Sequence, residues 1–199
     1  MATPSQLRSA PGEPTPGSSG VYRVDPSQLP PQTVGTYLQR QNPATGEQQR
    51  RIFIDRSLLA HEAGRVLPHE IGHAISDMAG SIPVDRRIAR EIRGVYNTLN
   101  NPQRWQASPK LSPALRYGPE QAGYPARDVD QELIAEAIRA YMADPNYLKS
   151  VAPKVAARIR EYANPNPLTN RAIQFNSALP AAASFGALMP WALPEEGAR

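Results

Sequence analysis

A mainly helical α+β fold with a small antiparallel sheet is what this sequence of 199 residues predicts. Three observations carry that reading. Two strand-like runs, TYLQR and RRIFID, flank the turn residues NPATG. Downstream segments repeat their apolar residues at helical spacing. The 22 prolines gather near both ends and in one internal loop, as punctuation between those segments. The length suits one domain with a real core, and a chain that is 40% hydrophobic and 20% charged is globular in composition.

The first twenty residues, MATPSQLRSAPGEPTPGSSG, are rich in Ser, Pro and Gly and lack the apolar stretch of a secretory signal. They are expected to form a disordered leader or linker, used by a specialised secretion machine or joining the domain to a larger protein. The folded domain is expected over 21–177. It opens with the hairpin, which leads into a first helix from about Val66 to Ala79, with Pro68 near its first turn and Gly80 behind its end. A second helix is expected over Asp85 to Leu99, with Ile88, Ile92, Val95, Tyr96 and Leu99 as its apolar stripe.

Residues 101–127 form a long Pro-rich stretch, read either as a lid or binding loop or as a partly helical connector. A third helix starts near Asp128, where Asp128 and Gln131 have the spacing of a capping box, and breaks at Asp144-Pro145. A fourth helical region, NYLKSVAPKVAARIREYAN, carries a second start signal at Pro153. The Pro/Ala-rich tail, 178–199, is expected to lie over the domain. In the apolar run AIQFNSALPAAASFGALMPWAL, Gln174, Asn176, Ser177, Pro180 and Pro190 argue against a membrane span.

The net charge of +4 comes from 19 Arg and 3 Lys against 18 acids, dispersed with no run of five, which argues against a nucleic-acid partner. With no cysteine, disulfides and thiolate metal sites are excluded. Any zinc must therefore be held by His and carboxylate ligands.

All three histidines fall between positions 61 and 73, and VLPHEIGHAISDMAG contains His-Glu-x-x-His. Residues four apart share a helix face, so His69, His73 and Asp77 form one stripe. Ile71, Ala74, Ile75 and Met78 form another, which suits a core. Two imidazoles one turn apart can ligate one zinc. Glu70 lies roughly 100° round from His69, off the ligand stripe but able to reach a water on the metal, as a general base must. His61, placed before the helix, lacks a partner histidine at the right spacing. A catalytic zinc wants three protein ligands, so the third is expected to be a carboxylate on a later helix. In QELIAEAIRAY, Glu132 and Glu136 share a face while Leu133, Ala137, Ile138 and Tyr141 point into the core. Glu132 suits the metal and Glu136 suits orienting an imidazole, with Asp77 a second candidate for that orienting role. The plainer alternative has both glutamates solvent-facing, with Glu136 paired to Arg139.

HEIGHAISDMAG, then ELIAEAIRAYMADP, then APKVAARI together resemble the catalytic domain of anthrax lethal factor and related toxin-type zinc peptidases, and more distantly the thermolysin clan. The resemblance spans roughly residues 50–163. It implies a zincin-like metallopeptidase domain with one Zn²⁺ per chain, held by His69, His73 and Glu132. It also implies Glu70 as base, Glu136 near the metal, and a tyrosine aimed at the oxyanion. Tyr124 is the nearest match for that tyrosine and Tyr117 its competitor.

The expected function is a zinc-dependent endopeptidase that acts on a protein or peptide substrate. The resemblance implies a bacterial toxin or secreted effector domain delivered without a Sec signal, with a cognate immunity protein as a possible partner. Two rivals stand beside it: a non-catalytic interaction module on the same fold, and an intracellular regulatory metallopeptidase.

Overall fold

Strand β3 (Gln48–Asp55) is the centre of the sheet, because its residues Ile52 and Ile54 are the ones buried beneath the first helix. β2 (Gly35–Gln41) pairs antiparallel with it, Tyr37 opposite Ile52, as the hairpin reading expects. On the other side β1 (Gly20–Val24) pairs with β3 in parallel, giving the order β1-β3-β2. The sheet is therefore mixed, which corrects the all-antiparallel expectation. A five-residue edge strand carries little signal of its own and is fixed by its partner. The computed structural model describes residues 19–43, 45–101, 117–170 and 175. The leader over 1–18, the tail over 178–199 and most of the 101–127 loop lie outside these residues.

Among the described residues six α-helices follow: α1 (Ala60–Met78), α2 (Ala89–Asn100), α3 (Val129–Ala143), α4 (Pro145–Val151), α5 (Pro153–Ala163) and the short α6 (Pro167–Asn170). α1 begins six residues earlier than its proline suggests. Glu62, in the first turn, accepts a hydrogen bond from the Leu59 N–H at 2.9 Å and fixes the start there. Pro68 thus sits inside the helix. The carbonyl it leaves without an N–H belongs to Gly64, which is exposed to water. His61, expected before the helix, lies in its exposed first turn. The far end closes as the sequence indicates. Gly80 takes φ +85°, with its N–H on the Asp77 carbonyl and the Ser81 N–H on that of Ser76.

α2 buries Ile92, Val95 and Tyr96 as expected, but its first turn starts at Ala89. Asp128 precedes α3 without any side-chain capping bond, so the expected capping box is not formed. Asp144 instead caps α4, accepting from the Asn146 and Tyr147 N–H groups at 3.0 and 2.9 Å.

α3 is the central helix. Leu133, Ile134, Ala135, Ala137, Ile138 and Tyr141 are all buried, so it is covered on nearly every side. Its closest approach is to α1. A Cβ built on Gly72 would stand 2.4 Å from the Ala135 carbonyl oxygen, so only glycine lets the two backbones meet there. No helix among the described residues is long and apolar enough to cross a membrane.

Candidate metal centre

The Gly72–Ala135 contact brings two helix faces together. His69 Nε2 lies 3.1 Å from Glu132 Oε2, and His73 Nε2 lies 3.3 Å from Glu132 Oε1. The imidazoles stand edge to face, 4.9 Å apart. One ligand atom from each of His69, His73 and Glu132 falls within 4.8 Å of the others. Two ligands of a tetrahedral zinc, each 2.0–2.1 Å from the ion, stand about 3.3–3.4 Å apart. The imidazole–carboxylate separations match that edge, and two imidazoles with one carboxylate form a donor set that suits zinc.

Behind His69, its Nδ1 meets Glu136 Oε2 at 3.2 Å. A proton held on Nδ1 by that carboxylate would leave the Nε2 lone pair to a metal, in whose absence Nε2 donates its own proton to Glu132. Glu136 is nearly fully buried, and it also takes Asn100 Nδ2 at 2.9 Å and the Arg139 guanidinium. The expected ion pair with Arg139 and the orienting contact with His69 are therefore both made, by one carboxylate.

The electrostatics follow from burial and pairing. Burial works against a charged His69, but Glu132 and Glu136 outweigh it and push the imidazole up to about 10. Burial likewise opposes ionisation of the two glutamates. The imidazoles nevertheless hold Glu132 at about 2, and Arg139 with His69 holds Glu136 at about 2.

Glu70 is buried and stands outside the ligand group. Its carboxylate faces β2, where a Cβ on Gly35 would come within 3.0 Å of Oε1. Burial raises its pKa above the usual value, while the charges of His69 and His73 and the Tyr37 backbone N–H act the other way.

Asp77, one turn beyond His73, does not orient an imidazole. Its Oδ2 accepts from the Tyr37 hydroxyl and from Arg50 Nε, both at 2.8 Å, and so ties α1 to the sheet. The stripe through His69 and His73 has turned away from the metal side by Asp77 and meets β2 and β3.

Comparison with family models, with curated proteins and with solved structures gave no match. The site is therefore read from its own geometry.

Of the two tyrosines, Tyr124 reaches the cluster. Burial, and then the nearby carboxylates of Glu132, Glu70 and Glu136, push the pKa of its hydroxyl up. Its ring remains 39% exposed, which leaves it open towards a ligand. Tyr117 instead stacks on Tyr96 with ring centres 6.4 Å apart. The turn carrying Tyr124 is anchored by Arg93 on Glu120 at 2.8 and 3.1 Å and redirected by Gly123 at φ +96°.

Asn100, Gly35 and Gly72 were not singled out from the sequence. Gly72 had the one available signal, a helix-breaking residue inside an otherwise strong helix. Asn100 and Gly35 had none, since their partners lie 36 and 35 residues away.

Proposed function

We propose that this chain is a zinc-dependent endopeptidase of the zincin type. The observation that carries the reading is the convergence of His69, His73 and Glu132 from two helices, with Glu70 buried beside them but outside the ligand group. A site that only held a metal would have no use for a carboxylate in that position.

A zinc ion held there would polarise a peptide carbonyl and make water acidic enough to ionise near neutral pH. The chain's own groups do the rest. Glu136 holds the His69 ring in place. Glu70 takes the proton of the attacking water and delivers it to the amine as the C–N bond breaks and the new C–O bond forms. The Tyr124 hydroxyl, near the carboxylates of the cluster, donates to the carbonyl oxygen as negative charge gathers there.

The toxin or effector role and a cognate immunity protein rest on the motif resemblance alone and are part of the same proposal. The test is Glu70→Ala in a paired measurement. Zinc content stays near one per chain and the thermal melt is nearly unchanged, while cleavage of cellular proteins, read by mass spectrometry, falls by roughly 10²–10⁴-fold. A variant that keeps its zinc and cleaves at the wild-type rate removes Glu70 from the role of base, and a wild type that cleaves nothing points instead to a non-catalytic module.

A further inference from the structure

A groove of about 570 Å³ lies between α2 and the α4–α5 pair. Arg87, just before α2, and Arg90, Gly94 and Thr98 within it form one stripe at helical spacing and make one wall. Tyr147 and Val151, one turn apart on α4, make the other, and Lys154 closes it from α5. The same helix sends Asn100 to Glu136, so the groove and the candidate metal centre use different parts of α2.

Two independent features mark the groove. The first is charge. The one acid in its lining, Glu91, is already engaged: it accepts from the Lys154 and Val155 N–H groups at 2.9 and 3.3 Å and closes the start of α5. Among the described residues, no side-chain hydrogen bond or ion pair is made by Arg87 or Arg90. The second is Gly94. Glycine inside a helix costs about 0.5–1 kcal/mol relative to alanine. A Cβ there would meet nothing within 4 Å, so packing does not require the glycine. What it does is keep the groove floor low.

We propose that this groove binds a short acidic segment of a partner protein, with carboxylates on Arg87 and Arg90 flanking a small aliphatic side chain over Gly94 and Val151, while Lys154 Nζ stays with Glu91 Oε1 at 4.0 Å. Val151 is 48% exposed and supplies the apolar contact. A peptide fits better than a nucleic acid, because the two uncommitted cations sit beside an apolar patch and form no continuous track for a phosphate backbone. The volume also suits a few residues of extended chain.

The probes are the fluorescein-labelled pentapeptides DELED and NNLNN and a five-nucleotide oligothymidylate, read by anisotropy and by the backbone amide shifts of Gly94 and Thr98. DELED is expected to bind saturably, at least tenfold more tightly than NNLNN, and to shift both amides. The double variant Arg87→Glu/Arg90→Glu should weaken it at least tenfold. Gly94→Leu should abolish binding while melting no lower than wild type, which separates a filled groove from a broken fold. The proposal is overturned if DELED binds no better than NNLNN, if the charge reversals leave its affinity unchanged, or if the oligonucleotide binds more tightly with the same sensitivity to those variants.

Discussion

α1 and α3 each contribute half of the candidate metal centre, yet they are different kinds of helix. α1 is amphipathic: Ile71, Ala74 and Ile75 are buried, and His69 and His73 sit part-exposed one turn apart. Its half of the site is local, since any helix through that segment puts the two imidazoles on one face. α3 is covered nearly all round, and Glu132 and Glu136 are among its buried residues. Its half is not local. Burying two carboxylates costs several kcal/mol each unless they are paired, so their place depends on the imidazoles, Arg139 and Asn100 being there to receive them. Spacing alone sets one half of the centre, and helix–helix contact sets the other.

The sharpest way to break that division is to remove the distant ligand. Glu132→Ala should lower zinc affinity by roughly 10²–10³-fold, a ligand's share of a binding energy of about 10–16 kcal/mol. The measurement is competition against a chelator of known affinity, and wild-type affinity would place the third ligand elsewhere.

The next prediction keeps every ligand and moves the helices. Gly72→Ala puts a methyl group into the Ala135 backbone. It should cost about 1–3 kcal/mol of stability, as overpacking does, and weaken zinc binding although no ligand has changed. If denaturant melts and zinc affinity both match wild type, the close approach is not what assembles the site.

Glu136→Gln tests the support behind His69, and zinc affinity should fall about 10–100-fold. It should also alter acid stability after the metal has been stripped. The folded Glu136 carboxyl is held at about 2, below its ordinary 4.5, because Arg139 and His69 outweigh burial. Such a group stabilises the fold fully above about pH 4.5, and that stabilisation is lost as pH falls towards 2. Melting temperature against pH should drop over that window in the wild type and more shallowly in the variant.

The smallest effect contrasts two residues on α1. Asp77→Asn should lower stability by about 1 kcal/mol through its bonds to Arg50 and Tyr37 and leave zinc affinity alone. Exposed His61→Ala should change neither. Loss of zinc in either variant would redraw the ligand set.

The sequence by itself determined the elements whose signals are local. The hairpin followed from alternating apolar strands around turn residues. The α1 core stripe followed from helical spacing, its end from Gly80, and the restarts at Pro145 and Pro153 from the geometry of proline. Only the tertiary structure decided that β1 joins the sheet in parallel and that Asp77 serves Arg50 and Tyr37. It also decided which tyrosine reaches Glu132, and that one glutamate serves His69, Asn100 and Arg139 together. The physical reason is the range of the interaction. A periodicity or a cap is fixed by residues within one or two turns. A carboxylate's partner, or the distance between two helices, is fixed by surfaces that meet only when the chain is folded, here across the missing side chain of Gly72.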